Sequence, residues 1–390
     1  MTTSFKEHFS RFLGSDPTRL HLAAHSHHPW PDVTFDAHER AWNDAAQHHD
    51  HKWDRILHDL WPSAQRHVAR QLNLPDPSTV VFAPNTHEFV VRLLSCFEAP
   101  VRILTTDAEF HSFRRQVDRL AEEGLVELER VAARPHGTFA DRLASAARNG
   151  SHDLVFFSQV QFDSGAVVSD LANVVRAVPA DTPVVVDGYH AFMALPVDLS
   201  AIADRIFWLG GGYKYAMAGE GAAFLHCPPG WLPRPRATGW YGEFGDLTAP
   251  PGGVGYRTDA QRFMGATFDP SGLYRFVSVQ DWLVNLGVDV AAIHRRVQRL
   301  QLRFMEQVMD ANVLPIEAMV PGLDEVDDRG NFLAFAVANA PALDAALAAR
   351  HVVVDHRGDR LRFGFGLYHD DQDVEVAVAR LGDAVGAAAG

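Results

Sequence analysis

The sequence predicts a layered α/β protein: a large domain with a mostly parallel sheet covered by helices, then a small C-terminal α/β domain. From about residue 80 onward, short runs that are apolar on both faces alternate with stretches of helical periodicity. Pro, Gly or Asp bounds each run, as expected of buried parallel strands. The length of 390 residues points to more than one domain, at roughly 100–200 residues each. We place an N-terminal segment at 1–40, contributing to the small domain or to the mouth of a site. The large domain follows at 41–275 and the small domain at 276–390.

Residues 15–78 are rich in His and Trp and read as irregular chain followed by a helix over about Pro62 to Gln71. Val80 to Phe82 is the first strand, and Phe89, Val90, Leu93, Leu94 and Phe97 follow at helical spacing. Val101 to Thr105 is the next strand, then a helix carrying Val117, Leu120 and Leu125. Leu154–Phe157, Val184–Val186 and Ile206–Leu209 continue the series. Between Cys227 and Pro270, residues such as Pro228, Pro229, Pro250, Pro251, Gly252 and Gly253 indicate a long functional loop. A helix with Leu286, Val290, Ile293, Val297, Leu300 and Phe304 on one face follows. The small domain then reads as a strand at Phe332–Val337, a helix at Ala342–Ala349, strands at Val352–Val354 and Leu361–Phe365, and a closing helix after Asp373.

Hydrophobic residues make up 47% and charged residues 22%, enough apolar material for a large core. Lys and Arg number 35 against 49 Asp and Glu, a net of −14, with no basic block. That balance argues against nucleic acid or an anionic membrane as partner, since phosphate binding needs clustered cations. No apolar run approaches the roughly 18 residues of a membrane helix, and residues 1–14 carry no signal-peptide core. Cys96 and Cys227 form no CxxC pair. The expected location is cytoplasmic. His25, His27 and His28, and again His48, His49 and His51, lie close together, yet no HExxH or paired i, i+4 ligand pattern with a carboxylate appears, so no metal site is expected. Gly-x-Gly-x-x-Gly and Gly-x-Ser-x-Gly are absent, which disfavours a nicotinamide dehydrogenase and a nucleophile-elbow hydrolase.

In an open parallel sheet, ligands bind beyond the carboxyl ends of the strands. Val184–Val186 ends in Asp187 with His190 three residues on, and Ile206–Leu209 runs through Gly210, Gly211 and Gly212 into Tyr213 and Lys214. One crossover unit separates the two ends, so a carboxylate and an amine are expected in one crevice. A buried lysine amine forms a Schiff base with an aldehyde. Pyridoxal phosphate (PLP) also needs an acid for its ring nitrogen, a face to stack on and a phosphate cup. Asp187 can be the acid, Phe110, at the end of the strand starting at Val101, the face, and Asn85 with Thr86 at a helix start the cup. Taken singly, each also has a plain structural use: Asp187 as a turn former, Asn85 as a helix cap, Phe110 as core.

Around these residues the sequence resembles the class V aminotransferase group of fold type I PLP enzymes, and within it the kynureninases. VVVDGYHAFMALPVDLS resembles the D-x-x-H strand end, which implies Asp187 at the pyridine nitrogen and His190 nearby. FWLGGGYKYAMAGEGAAFL resembles the Schiff-base segment, which implies Lys214 as the lysine and Tyr213 at the phosphate. APNTHEFV implies Asn85 and Thr86 in the phosphate cup, and TTDAEFHSF implies Phe110 as the stacking ring. TGWYGEFG and RFMGATFDP imply Trp240 and Thr267 near the phosphate of a partner subunit, hence a homodimer with a shared active site. RLRFGFGLYHDDQDV implies Arg362 on the substrate α-carboxylate, although a strand-surface salt bridge is the competing use. HLAAHSHHPWP replaces the N-terminal signature of kynureninases, and Phe110-His111-Ser112-Phe113 replaces their F-P-T-D. The implied activity is kynureninase-like Cβ–Cγ hydrolysis of an amino acid, with amino transfer to an α-keto acid as the alternative. Cysteine desulfuration is disfavoured, because neither cysteine stands where a mobile nucleophilic thiol would be needed.

Overall fold

The computed structural model describes residues 4–246, 252–326 and 328–389; Pro250 and Pro251 of the expected loop lie outside the described residues. The N-terminal segment and its continuation carry α1 (Ser10–Ser15), β1 (Leu20–His21), α2 (Val33–His48), α3 (Lys52–Arg55) and α4 (Trp61–Leu72). The large sheet contains β2 (Val80–Ala83), β3 (Val101–Thr106), β4 (Val126–Val131), β5 (Leu154–Ser158), β6 (Val184–Asp187), β7 (Ile206–Gly211) and β8 (Ala223–His226). Helices α5 (Thr86–Leu94), α6 (His111–Glu122), α7 (Phe139–Asn149) and α8 (Leu171–Ala177) connect them. The strand order is β2-β8-β7-β6-β5-β3-β4. Strands β7, β6, β5, β3 and β4 run parallel, and β8 is antiparallel to both of its neighbours.

The middle strands are continuously apolar because helices cover both faces of the sheet. Val184–Val186 and Ile206–Leu209 are fully buried. Polar character enters only where these strands end. Ser158 stands opposite Asp187, and Asp187 opposite Leu209, so the register aligns these exits at one edge of the sheet.

Two long helices, α9 (Ser271–Asn285) and α10 (Val290–Asp310), lead into the small domain, their axes meeting at 84°. It comprises β9 (Phe332–Ala336), α11 (Ala340–Ala348), β10 (Val352–Val353), β11 (Asp355–Arg357), β12 (Arg360–Gly364) and α12 (Asp371–Ala389). Strands β11, β12 and β9 form an antiparallel sheet. Strand β1 pairs in parallel with β10, and Ala23 bridges to Gly364, so the N-terminal segment is stitched onto the small domain. The boundary expected near 275 falls inside α9. Hydrophobic packing changes partners later, within α10: Ile293 belongs to the core of the large sheet and Val297 to that of the small one. Among the described residues no single helix is long and apolar enough to cross a membrane.

Several elements differ from the sequence reading. The chain from Val33 to Leu72 is almost wholly helical rather than irregular. Helix α2 buries only Thr34, Ala37 and Asp44, so it shows no apolar stripe to read. Helix α9 was not expected as an element of its own. It buries Leu273, Tyr274, Phe276, Val279, Trp282 and Leu283 together with polar Arg275 and Gln280, so no polar face interrupts it. Leu286 lies in the break before α10. Strand β4 was missed because Glu127, Glu129 and Arg130 mark it as a sheet edge. The strand expected at Val352–Val354 is Val352–Val353 and pairs with β1.

Candidate active site

Lys214 follows β7 through the Gly210–Gly212 bend. A Cβ on Gly211 would come 2.3 Å from the Tyr189 hydroxyl oxygen, so the bend requires glycine there to let the chain pass the ring. The lysine is buried, with only 5% of its surface exposed. Its Nζ lies 3.0 Å from His190 Nε2. Aromatic faces surround the rest of it: Nζ is 4.8 Å from the Tyr189 ring centre, 5.3 Å from Phe110 and 5.7 Å from Tyr213. Burial lowers its pKa from 10.5 to about 7; the Asp187 carboxylate opposes the shift and the Arg362 guanidinium adds to it. A neutral, nucleophilic amine is therefore well populated near neutral pH.

Asp187 closes β6, where its Oδ1 accepts the Tyr189 N–H at 2.9 Å. Burial pushes its carboxyl above the usual range. His190 is buried, and that burial, with Lys214 and Arg362 adding, holds its imidazole well below the usual value and so neutral. Tyr213 stacks on His27 with ring centres 5.0 Å apart; burial pushes its phenol up to about 12, so it remains a donor.

Phe110 is not at a strand end as expected. It flanks the start of α6, four residues past β3, and packs edge-on against Phe162 at 5.7 Å. Asn85 is the N-cap of α5: its Oδ1 accepts the Glu88 N–H at 3.1 Å. Thr86 opens that helix, so the first-turn N–H groups face the sheet end from which Lys214 also emerges. Trp240 and Thr267 lie on the protomer surface. Their segments are joined, since Tyr241 N–H donates to the Gly265 carbonyl at 3.2 Å. Arg92 of α5 fills the space beside Gly265. Within one protomer these two residues are thus set on a surface next to the helix that carries Asn85 and Thr86.

Arg362, in β12, is buried and not on a strand surface. Its Nε donates to Asp355 Oδ1 at 2.8 Å, Nη2 to Asp355 Oδ2, and Nη1 to the Phe162 carbonyl. The sequence reading missed Asp355, His25 and Phe332 as parts of this site. His25 was weighed only within a histidine cluster; its Nε2 lies 2.9 Å from Asp355 Oδ1. Phe332 stacks on His25 at 4.7 Å, and its ring centre is 5.6 Å from both the Arg362 guanidinium carbon and the His190 ring. Glu109 was missed as well. It is buried beside the strand ends, accepts from Thr106 Oγ1 at 2.7 Å and Ser158 Oγ at 2.6 Å, and burial pushes it up to about 7. Its only signal in the sequence is its place next to Phe110. Burial pushes both thiols, Cys96 and Cys227, up to about 12, so neither is a thiolate near neutral pH. No three His, Cys, Asp or Glu side chains converge on a metal position among the described residues.

These residues fit PLP. A buried amine has aromatic faces beside it and a desolvated carboxylate at the next strand end, and free helix N–H groups lie at the same sheet edge. The family model for aminotransferase class V matches residues 31–376. The isopenicillin N epimerase of Streptomyces clavuligerus is 32% identical over 249 residues, 60% of this chain and 61% of that enzyme. The isopenicillin N epimerase of Amycolatopsis lactamdurans is 29% identical over 235 residues, 58% of each chain. The chain thus spans about three fifths of the length of these curated relatives. Among solved structures, the cystine C–S lyase C-DES in complex with cysteine persulfide superposes with a TM-score of 0.79 at 16% identity, over 94% of this chain and 97% of that one. A cysteine desulfurase from Thermococcus onnurineus gives 0.77 at 15%, over 99% of each. At such identities the likeness shows the fold alone, that of the fold type I PLP enzymes. The chain belongs to the class V aminotransferase family, a PLP-dependent family whose members act on amino acids, and PLP is its cofactor.

Proposed function

We propose that this chain removes the α-proton of an amino acid and then cleaves its side chain hydrolytically between Cβ and Cγ, as kynureninases do. The observation that carries the first step is the buried Lys214 amine, lowered to about 7 and 3.0 Å from His190, one strand away from Asp187. Lys214 would hold the cofactor covalently and, as a free amine, would be the general base at Cα. PLP, when bound, would supply an electron sink for the pair left on Cα. Asp187 would pair with its ring nitrogen. Asn85, Thr86 and Tyr213 would hold its phosphate, Phe110 would cover its ring, and Arg362 would take the substrate α-carboxylate.

The second step rests on the resemblance of the D-x-x-H strand end and the Gly-Trp loop to those of kynureninases, although both motifs serve the cofactor. Water adds its oxygen to a γ-carbonyl carbon, the Cβ–Cγ bond breaks with its electron pair taking a proton at Cβ, and Cα regains the proton removed in the first step, so the products are alanine and a carboxylic acid. No oxidant or reductant is needed. The second reading is epimerisation at Cα, favoured by the 32% identity to an isopenicillin N epimerase. Trp240 and Thr267, exposed here, would serve the partner's phosphate in a homodimer.

Incubation of the holoenzyme with L-amino acids bearing a γ-carbonyl separates these outcomes. Alanine with the matching acid supports hydrolysis. The D-enantiomer without cleavage assigns the chain to epimerisation. A pyridoxamine form that needs an α-keto acid to return assigns it to amino transfer.

A further inference from the structure

The segment that departs most from the kynureninase pattern, residues 21–31, places His25 at the heart of the small-domain side of the site. His25 is wholly buried. On one side its ring stacks on Phe332, and on the other it lies so close to Gly364 that a Cβ there would come 2.1 Å from Nδ1. Its Nε2 reaches Asp355 Oδ1 at 2.9 Å. Asp355 faces Arg362 across the β11–β12 pairing and accepts from its Nε and Nη2. Arg357 Nη2 lies 3.4 Å from the same carboxylate. Burial pushes the Asp355 carboxyl upward, but His25 and Arg362 together hold it well below the usual range. Burial lowers His25 to about 4, so a neutral imidazole donates Nε2–H to an ionised carboxylate.

An arginine guanidinium offers two edges on which a carboxylate can sit with two hydrogen bonds, Nε–Nη2 and Nη1–Nη2, because Cδ blocks the third. Asp355 takes the Nε–Nη2 edge, and the Phe162 carbonyl accepts one of the two N–H bonds of Nη1, leaving its other N–H and the second of Nη2. We propose that His25 and Asp355 are positioning residues that lock Arg362 by this edge, so that a substrate α-carboxylate is received end-on by Nη1 and Nη2. This rests on the reading of Arg362 as the carboxylate holder. His25 acts at one remove: it fixes the Asp355 carboxylate in the plane of the guanidinium. Without it, Arg357 still neutralises Asp355 and the Phe162 carbonyl still holds Nη1, but the contact that sets the tilt of the Asp355 carboxylate is lost. The alternation of His25, Gly364 and Phe332 has the same sense, since any side chain at 364 would expel the imidazole.

The test uses the PLP holoenzyme and two probes, L-alanine and L-alaninamide, which differ only at the carboxylate. Binding is read from the shift of the cofactor absorption band, independently of turnover. In wild type the acid is expected to bind tighter than the amide. His25→Leu should lose roughly ten-fold of that preference, the effect of one charge-assisted hydrogen bond, while cofactor affinity stays unchanged. His25→Gln, whose side-chain amide N–H can reach Asp355, should restore most of it. Gly364→Ala should reproduce the loss by displacing the ring. If His25→Leu does not fold, the isosteric Asp355→Asn carries the same expectation. An intact preference in His25→Leu or Asp355→Asn overturns the positioning role alone. An intact preference in Arg362→Ala overturns the reading of Arg362 on which it rests. A wild-type spectrum that no amino acid shifts overturns both.

Discussion

Two clusters of buried ionisable groups flank the Phe332 ring, and they are built on opposite terms. On the large-domain side, Lys214 hydrogen-bonds to His190 among the described residues and is otherwise wrapped by aromatic faces. On the small-domain side, Arg362 has donors engaged at all three of its nitrogens, and Asp355 accepts from both Arg362 and His25. Burial acts on both, yet only the first is left under-compensated, and its amine is lowered from 10.5 to about 7. A group that must react is kept poor in partners, whereas a group that must hold a ligand is saturated with them.

Removing the reactive member should give the largest effect. Lys214→Ala should abolish the absorption band of covalently held cofactor and lower turnover by at least 10²–10⁴-fold, the usual scale for loss of a general base. A band that survives in that variant would place the anchor elsewhere. Asp187→Ala comes next. It should retain part of the cofactor but lose roughly 10²-fold or more in kcat, because the charge developing on the ring would no longer be stabilised. Wild-type turnover in Asp187→Ala would remove the carboxylate from the site.

Arg362→Ala tests the saturated cluster. KM for the amino acid should rise roughly ten- to a hundred-fold with cofactor binding little changed, in line with loss of a bidentate ion pair. The same variant should also melt earlier, because it strips Asp355 of its main partner; breaking a buried pair from one side costs about 3–5 kcal/mol. Lys214→Ala, by contrast, leaves no charge unpaired and should not destabilise the apoprotein. If both variants melted alike, the contrast between the clusters would be wrong.

The division of labour was only half legible in the sequence. Asp187, His190, Tyr213 and Lys214 could be read because strand ends in a parallel sheet follow directly from apolar runs, and the chain leaves each run at a polar residue. The register of β5, β6 and β7 then does the rest. Phe110 was placed four residues too early in the fold because a strand end and a helix start are separated only by a short turn. The small-domain cluster was hidden for another reason. His25 stands about 300 residues before Phe332, Asp355 and Arg362 in the chain and is joined to them by the parallel pairing of β1 with β10 and the bridge from Ala23 to Gly364. Two-residue strands of that kind carry no periodicity. The helices α2 and α9 were lost by the opposite route, one burying too little apolar surface to show a stripe and the other too much.

The smallest effect concerns pH and separates burial of Lys214 from its chemistry. In the unfolded chain the amine titrates near 10.5, in the folded apoprotein near 7. Between these values the unfolded state binds the extra proton, so stability rises with pH across that window. The penalty of burying the lysine is therefore fully present below about pH 7 and fades towards pH 10.5. Lys214→Met, which keeps the length of the side chain without the charge, should accordingly raise the melting temperature of the apoprotein most at pH 6–7 and hardly at all near pH 10. Melting curves of the two apoproteins across that range check it. A gain that did not depend on pH would mean that the amine is solvated in the fold, and then the partner-poor cluster would be no more poised than an ordinary surface lysine.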